Sequence, residues 1–537
     1  MVFAAVGGAG AWAALADGKA GWTVVAAGVA AAVGASGPSV ADWWRARAVE
    51  GARSRRMLAE VGSAEVPLSV AWLLHPQMAV VPFLGRGWLL QGLESWAQDR
   101  GGSVVRLVAG AGGVGKTRLA RQLVDRLPNW DSVWVAPQRE LAAVELLDDV
   151  APGRWLLVVD YGETRDRAGL AALLCAAQRV ATDGVRVRVL VLARTAGLWW
   201  ETLSAAYPQQ AHVIDALTVP SNAVDVPAEV EGYDPDWIVG EAVTAFAARL
   251  NRPVPTVPSR VRVAGTPVLR LHAEALVAVL GGVSRDGRFD VLDEVLRHEV
   301  RYWRGAARRA GLLVGDDPAV DVVLRQVAGV AALLGASDED QVAGLVRRAP
   351  LLAGAEALLI ERYVRWLRDL YPSLVPGLLG AIQLDLLAED LAVQMLRGCT
   401  AAQRVGVLSA LTVQQAVQAL TVLARAGVHQ PDADALIDVA LSADVPVMTE
   451  AVLSIGVQFP GRFTPQIVEL LATADLDLGW ARRVAGRIPY PSQELCRIAL
   501  ALTTRIVAGL DTRVAPHDRA VWTGMHALRL AETARRA

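Results

Sequence analysis

The hydrophobic pattern of this 537-residue chain changes character once along its length. From Gly102 to Arg194, short apolar runs alternate with stretches of helical spacing. The predicted strands are Ser103–Ala109, the segment "DSVWVAP", Arg154–Asp160 and Val185–Arg194, and the predicted helices are Thr117–Leu127 and Arg165–Thr182. Strands separated by single helices predict an α/β domain whose parallel sheet is covered by helices on both faces. Ligands of such a sheet are expected at the carboxyl ends of its strands.

After about Pro208 the strand signals fade and helical spacing takes over. Pro-rich segments such as "YDPDW" and "NRPVPTVPSR" flank a predicted helix, Val239–Leu250. Further along, Gly427 stands where an amphipathic helix would end, and Thr464–Pro465 has the pattern of an N-cap followed by a first-turn proline. The pattern predicts a mostly α-helical C-terminal half, although no sequence repeat has a fixed period.

The N-terminus contains two uncharged apolar stretches, Val2–Ala16 and Ala20–Gly37, separated by "DGK". As helices they would be about 22 and 27 Å long, slightly shorter than a hydrocarbon core of about 30 Å. Arginines between positions 45 and 56 follow the second stretch, so the positive-inside rule places the remaining chain on the cytoplasmic face of the inner or plasma membrane. The alternative is an Ala/Gly-rich helical hairpin of a cytoplasmic protein.

The charge and the cysteine content of the chain bear on two classes of function, nucleic-acid binding and zinc binding. The 55 acidic and 53 basic residues give a net charge of −2, which provides no general attraction to nucleic acid. Cys175, Cys399 and Cys496 are too far apart to suggest a zinc site, and they are expected to be small core residues in a reducing compartment.

The segment from Gly110 to Thr117, "GAGGVGKT", carries the clearest chemistry. It matches G-x-x-x-x-G-K-T between a predicted strand and a predicted helix, the pattern of a loop whose backbone N–H groups surround phosphate oxygens. Lys116 is one of only two lysines among 53 basic residues, and its compact ammonium fits inside such a loop where a guanidinium would not. The predicted nucleotide-binding residues of the loop are Gly110, Gly112, Gly113, Val114, Gly115, Lys116, Thr117 and Arg118.

Three further residues are candidates for metal binding and catalysis. Asp160 ends the strand "WLLVVD", where a carboxylate would bind Mg²⁺ together with the Thr117 hydroxyl. Glu163 is a candidate for polarising the attacking water, with Arg165 as its partner, although the usual second acid position holds Tyr161. Arg194 ends the next strand, where it would stabilise charge on the γ-phosphate. Lys116, Asp160, Glu163 and Arg194 are therefore the candidate catalytic residues, and Glu163 and Arg194 remain open to a purely structural role.

With these motifs placed, the chain resembles the bacterial STAND-type NTPases, the branch that includes NB-ARC proteins. "VVPFLGR" is similar to their F-x-G-R segment, which implies that Phe83 and Arg86 lie near adenine. "AGTPVLRLHAEAL" resembles their G-x-P motif, which implies the same of Pro267. Relatives often carry a histidine that holds ADP; His272 and His298 are candidates by residue type alone.

The resemblance implies a switch with slow, regulatory ATP hydrolysis and Mg²⁺ as cofactor. ADP would hold the protein closed, and a trigger bound by the C-terminal helices would permit ATP binding, opening and self-association. Residues 1–37 would provide membrane contact, and nucleic acid is not expected as a partner.

The combined patterns divide the chain into four predicted domains. They are a hydrophobic hairpin with a basic linker (1–62), a P-loop NTPase domain (63–215), a helical lid with a winged-helix-like region (216–375) and an α-helical repeat-like region (376–537). Two other functions remain open at this point. One is an AAA+ type remodelling ATPase using Arg139, Arg165 or Arg179 as an arginine finger. The other is a STAND-type transcription regulator with a basic helix at Arg301–Gly311.

Overall fold

Five parallel strands form one sheet in the computed structural model of this protein, in the order β2-β3-β4-β1-β5. The strands are β1 (Val105–Ala109), β2 (Asp131–Trp134), β3 (Gly153–Val159), β4 (Val185–Ala193) and β5 (Ala223–Asp225). β1 lies between β4 and β5, with Leu107 paired to Val191 on one side and to Ala223 on the other. The first four strands match the predicted runs. β5 was not predicted, because its three residues form no apolar run.

The structure describes residues 69–136, 139–148, 152–181, 184–256, 265–281, 291–312, 319–336, 339–370, 385–430, 432–492, 494–510 and 516–535. The predicted N-terminal hairpin and basic linker lie outside these ranges. Across the described ranges, no helix has the length and apolar character needed to cross a membrane. The membrane anchor and the division into four domains therefore stay predictions.

Helices pack on both faces of the sheet. The helices of this half are α1 (Val70–Leu74), α2 (Gly87–Gln98), α3 (Lys116–Arg126), α4 (Glu140–Asp148), α5 (Arg167–Val180), α6 (Leu198–Glu201) and α7 (Ala211–Leu217). On one face, apolar side chains of α2 and α3 share a core with alternate strand residues such as Val108, Val158 and Leu192. On the other face, α5 contacts β4. This arrangement confirms the predicted α/β class.

The described residues after β5 are helical apart from turns, as predicted. Their helices are α8 (Pro235–Leu250), α9 (Val268–Val279), α10 (Val291–Arg309), α11 (Ala319–Leu334), α12 (Glu339–Arg348), α13 (Ala357–Leu370), α14 (Asp385–Arg397), α15 (Ala401–Leu408), α16 (Val413–Ala426), α17 (Ala433–Ala443), α18 (Val445–Ile455), α19 (Thr464–Thr473), α20 (Leu478–Arg487), α21 (Cys496–Ala508) and α22 (Pro516–Ala534). α16 ends before Gly427, as predicted. The prediction for Thr464 was wrong by one position: Phe463 is the N-cap, and Thr464 and Pro465 lie in the first turn of α19.

Two hydrophobic cores stabilise this helical half, and α11 and α14 contribute to both. Leu324 and Val327 of α11 belong to the core that includes α8 to α10, whereas Leu333 belongs to the core formed with α16 and the helices after it. The two helices approach closely at Gly329, where an added Cβ would lie 2.6 Å from Cβ of Met395 on α14. A residue without a side chain is therefore required at this crossing.

We expect Gly329→Ala to destabilise the protein by about 1–3 kcal/mol, because the added methyl group overpacks the contact between α11 and α14. The matched control is Gly344→Ala in α12, where an added Cβ meets no atom within 4 Å. That change is expected to stabilise the protein by about 0.5–1 kcal/mol through the entropy of the unfolded chain. Thermal unfolding of both variants checks the prediction, and equal midpoints would contradict it.

Candidate nucleotide-binding site

The loop between β1 and α3 has the backbone that a phosphate-binding loop requires. Gly113 and Gly115 have φ angles of +76° and +96°, values that favour glycine because a Cβ is strained there. Gly113 also lies where other elements approach, since a Cβ on it would come within 2.9 Å of Leu386 and 3.1 Å of Leu269. Glycine is thus needed at this position both for the turn and for the contact with α9 and α14.

Lys116 points back over the loop at the first turn of α3. Its Nζ donates to the carbonyl oxygens of Gly110, at 2.6 Å, and Ala111, at 3.0 Å. The ammonium therefore lies within the turn of the loop, beside the backbone N–H groups that would face phosphate oxygens. Its predicted role, contact with the β- and γ-phosphates, stays a prediction.

Thr117 and Asp160 are in contact, although Thr117 lies in the first turn of α3, after β1, and Asp160 follows β3, on the other side of β4. The Thr117 hydroxyl donates to Oδ2 of Asp160 at 2.9 Å, and the backbone N–H of Tyr161 donates to Oδ1 at 2.9 Å. A hydroxyl and a carboxylate beside a phosphate-binding loop are the donor set that Mg²⁺ uses with nucleoside phosphates. The residues present therefore fit a Mg²⁺ ion.

Glu163 is buried, and its partner is not the predicted one. It lies in a single 3-10 turn, Gly162–Thr164, which packs so tightly that a Cβ on Gly162 would come within 2.4 Å of Val191. Oε1 of Glu163 accepts a hydrogen bond from Arg425 of α16 at 2.9 Å. The two side chains are only 6% and 10% exposed.

Arg165, the predicted partner of Glu163, is bound elsewhere. Its guanidinium donates to Glu140 at 2.9 Å and to the carbonyl oxygens of Asp160, at 2.9 Å, and Val135, at 2.8 Å. These bonds fix the turn after β3 to the rest of the domain, so the predicted pairing of Arg165 with Glu163 was wrong. Arg165 is also one of the arginines considered as an arginine finger, and these bonds hold its side chain within its own domain.

Arg194 lies at the end of β4 against the phosphate-binding loop, with its guanidinium carbon 3.4 Å from the position of a Cβ on Gly112. It forms an ion pair with Glu389 of α14, in which the side chains are 15% and 4% exposed. Glu163 and Arg194 are the two candidate catalytic residues that the sequence left open to a structural role. Both therefore pair with charged residues of the C-terminal helices. Sequence reasoning missed Glu389 and Arg425, because no local pattern connects them to residues 195 and 262 positions away.

The F-x-G-R segment lies behind the loop. Arg86 donates to the carbonyl oxygens of Val114 and Pro227, and burial lowers its pKa to about 10. Arg86 thus holds the loop in place from within the cavity wall, and Phe83 lines the same cavity.

The G-x-P segment lies on the loop itself. Pro267 is the N-cap of α9, and the Leu269 N–H donates to the Gly113 carbonyl at 3.0 Å. Val268 and Leu269 line the cavity with the loop residues and Leu386. The first turn of α9 is therefore bound to the phosphate-binding loop.

Two histidines line the cavity, His75 and His272. Burial, with the positive charge of Arg121, lowers the pKa of His75 to about 4. Burial, with the positive charge of Arg118, does the same for His272. His298, the other candidate for an ADP-holding histidine, lies instead near Glu294 and Arg301 of its own helix. His75 was missed in the sequence, because it belongs to no motif there.

Solved structures similar to this chain share low sequence identity with it. A RuvB mutant from Thermotoga maritima is 16% identical, with 53% of this chain and 88% of that chain covered and a TM-score of 0.26. The replication initiator DnaA bound to AMPPCP and single-stranded DNA is 11% identical, with 55% and 97% covered and a TM-score of 0.24. Cdc6p from Pyrobaculum aerophilum is 12% identical, with 58% and 96% covered and a TM-score of 0.22.

No protein-family model and no curated protein matches the chain. Because all three TM-scores are below 0.5, the function of this chain has to follow from its own residues.

We expect His272 to make the protein less stable in acid. The unfolded chain binds a proton at this residue below about pH 6.5, whereas the folded protein binds one only near pH 4. Stability is therefore fully present above pH 6.5 and falls as the pH approaches 4, by about 2 kcal/mol at pH 5. In thermal unfolding at pH 7.5 and 5.0, His272→Gln should lose less stability than wild type. His212→Gln, at an exposed position on α7, should behave like wild type. Equal acid sensitivity of His272→Gln and wild type would contradict the expectation.

Proposed function

We propose that this protein is an ATP-binding and hydrolysing signal-transduction switch of the STAND class, closed with ADP and open with ATP. The observation that carries the proposal is the pair of contacts made by the C-terminal helices. Arg425 pairs with Glu163 and Glu389 pairs with Arg194, so two of the four candidate catalytic side chains are engaged by helices outside the sheet domain.

The arrangement of the remaining site residues supports ATP hydrolysis. Lys116 and the backbone N–H groups of the loop would neutralise phosphate charge, and Thr117 and Asp160 would hold Mg²⁺, which polarises the phosphates when bound. Glu163 would orient the attacking water. Its second oxygen, Oε2, is buried without a hydrogen-bond partner among the described residues.

The two ion pairs would keep this machinery inactive. Arg425 occupies Oε1 of Glu163 with a hydrogen bond, so this oxygen would not be available to orient water. Glu389 occupies the guanidinium that would otherwise stabilise charge on the γ-phosphate. Release of both pairs would be required before hydrolysis.

The charge of the nucleotide would decide between the two states. The γ-phosphate of ATP would compete with Glu389 for Arg194, whereas ADP lacks this group. ATP would therefore favour the state in which α14 has released Arg194, and only such a difference in affinity can shift an equilibrium between two conformations. Triggers bound by the C-terminal helices would act on the same equilibrium, and residues 1–37 would keep the switch at the membrane.

We expect the wild-type protein to copurify with ADP, because the closed state would store it. Lys116→Ala should lose the nucleotide, since the ammonium that neutralises the phosphates is removed. The nucleotide content of wild type and of Lys116→Ala is measured by extracting the bound nucleotide and separating it by chromatography. A wild-type protein that is empty and hydrolyses added ATP steadily would instead support the remodelling ATPase.

We expect Arg425→Gln and Glu389→Gln to raise ATP turnover at least fivefold, because each removes one contact that favours the closed state. The assembly size in the presence of an ATP analogue should increase as well. The matched control is Arg397→Gln, which removes an exposed ion pair with Asp432 at the end of the same helix, α14. Turnover of this control should equal that of wild type.

The role of Glu163 is tested in protein that also carries Arg425→Gln, where the ion pair to Glu163 is removed. Arg425→Gln combined with Glu163→Gln should still bind ATP but should lose the added turnover. Unchanged turnover in both Arg425→Gln and Glu389→Gln, in protein that binds ATP, would contradict the proposed control by the C-terminal helices.

A further inference from the structure

The phosphate-binding loop forms only one part of the cavity wall. Much of the remaining wall is apolar, with side chains from the segment after α1, from α8 and from the start of α9. These include Leu74, Val80, Phe83, Ile238, Phe246 and Val268. A wall of this kind accommodates a flat aromatic base and leaves recognition to a few polar groups.

The polar side chains in this apolar part of the lining are His75, His272 and Arg86. Arg86 is already bound to two backbone carbonyls. None of the described residues in this part of the lining has a carboxylate or amide side chain. Among the described residues, the two histidines are therefore the neutral side chains of this part of the lining that can form hydrogen bonds with a base.

The hydrogen bonding of His75 fixes its tautomer. The backbone N–H of Gln77 donates to Nδ1 of His75 at 3.2 Å, so this nitrogen is an acceptor. A neutral imidazole has one protonated nitrogen, which places the proton on Nε2. In the described part of the chain, Nε2 has no hydrogen-bond partner, so an N–H donor is available on a ring that lines the cavity.

The position of the His75 ring is fixed through α1. His75 is the C-cap of this helix and its ring lies 5.5 Å from that of Trp72. At the other end of α1, Ser69 Oγ and the Ala71 N–H donate to the carboxylate of Glu299 on α10, at 2.7 and 3.0 Å. Glu299 is fully buried, so the start of the helix that presents His75 is anchored to α10.

We propose that His75 determines nucleotide specificity by donating a hydrogen bond from Nε2 to a ring nitrogen of adenine. The proposal rests on the proposed function, since it assumes that the cavity binds a nucleotide. Adenine offers unprotonated ring nitrogens at N1, N3 and N7. Guanine carries a proton at N1 and so cannot accept there, and it would bring its N1–H and amino group against a largely apolar wall, where buried donors that stay unpaired are costly.

The first experiment measures ADP binding by calorimetry in wild type, His75→Phe and His75→Gln. The phenyl ring keeps the shape of the side chain but lacks the donor, so affinity for ADP should fall about tenfold. The amide N–H of glutamine can replace Nε2–H, so His75→Gln should recover most of the affinity. His212→Phe, at an exposed position, is the control and should bind like wild type.

The second experiment identifies the acceptor atom with the 1-deaza, 3-deaza and 7-deaza analogues of ADP. For one analogue, wild type and His75→Phe should bind equally, because the ligand then lacks the atom that accepts the hydrogen bond. A loss of the same size for ADP and all three analogues would overturn the proposal, and so would unchanged ADP affinity in His75→Phe. If wild type binds no nucleotide and Lys116→Ala changes nothing, the proposed function itself fails.

Discussion

A charged side chain that is withdrawn from water must be paired, and the described structure depends on this constraint where the sheet domain meets the C-terminal helices. Glu163, Arg194, Glu389 and Arg425 are all at least 85% buried. Removing one partner of a buried ion pair takes away charge compensation that water cannot replace, and in other proteins this costs about 3–5 kcal/mol. Because of this cost, the pairs separate readily only when another charge takes the place of the lost partner. This makes them suitable for controlling the change between the closed and open states.

The sheet domain could be predicted because its signals are local. The glycine-rich loop, the apolar strands and the helix that starts at Lys116 are each encoded within a few residues. The short strand β5 had no such signal, and its position depends on pairing with β1. Proximity in sequence was misleading for Arg165, because the chain makes a 3-10 turn at Gly162–Thr164 and becomes extended at Arg165. That backbone separates Glu163 from Arg165, and each finds a partner elsewhere.

Most of the candidate nucleotide cavity could not be predicted, because its wall is assembled from distant segments. The loop contributes the phosphate side, while other parts of the wall come from the end of α1 and the segment after it, from α8 and α9, and from the start of α14. His75 is informative because its tautomer and its environment become visible only in three dimensions. A histidine without a motif carries no signal in a single sequence.

The close crossing of α11 and α14 at Gly329 has a consequence for how this molecule can change shape. α14 contributes Leu386 to the surroundings of the phosphate-binding loop, Glu389 to Arg194, and apolar side chains to both hydrophobic cores. Because packed cores resist gradual deformation, such a helix cannot shift by a small amount without repacking on both sides. Movement of α14 should therefore be all-or-none in each molecule, so ligands would change the fraction of molecules that have moved and not how far α14 moves.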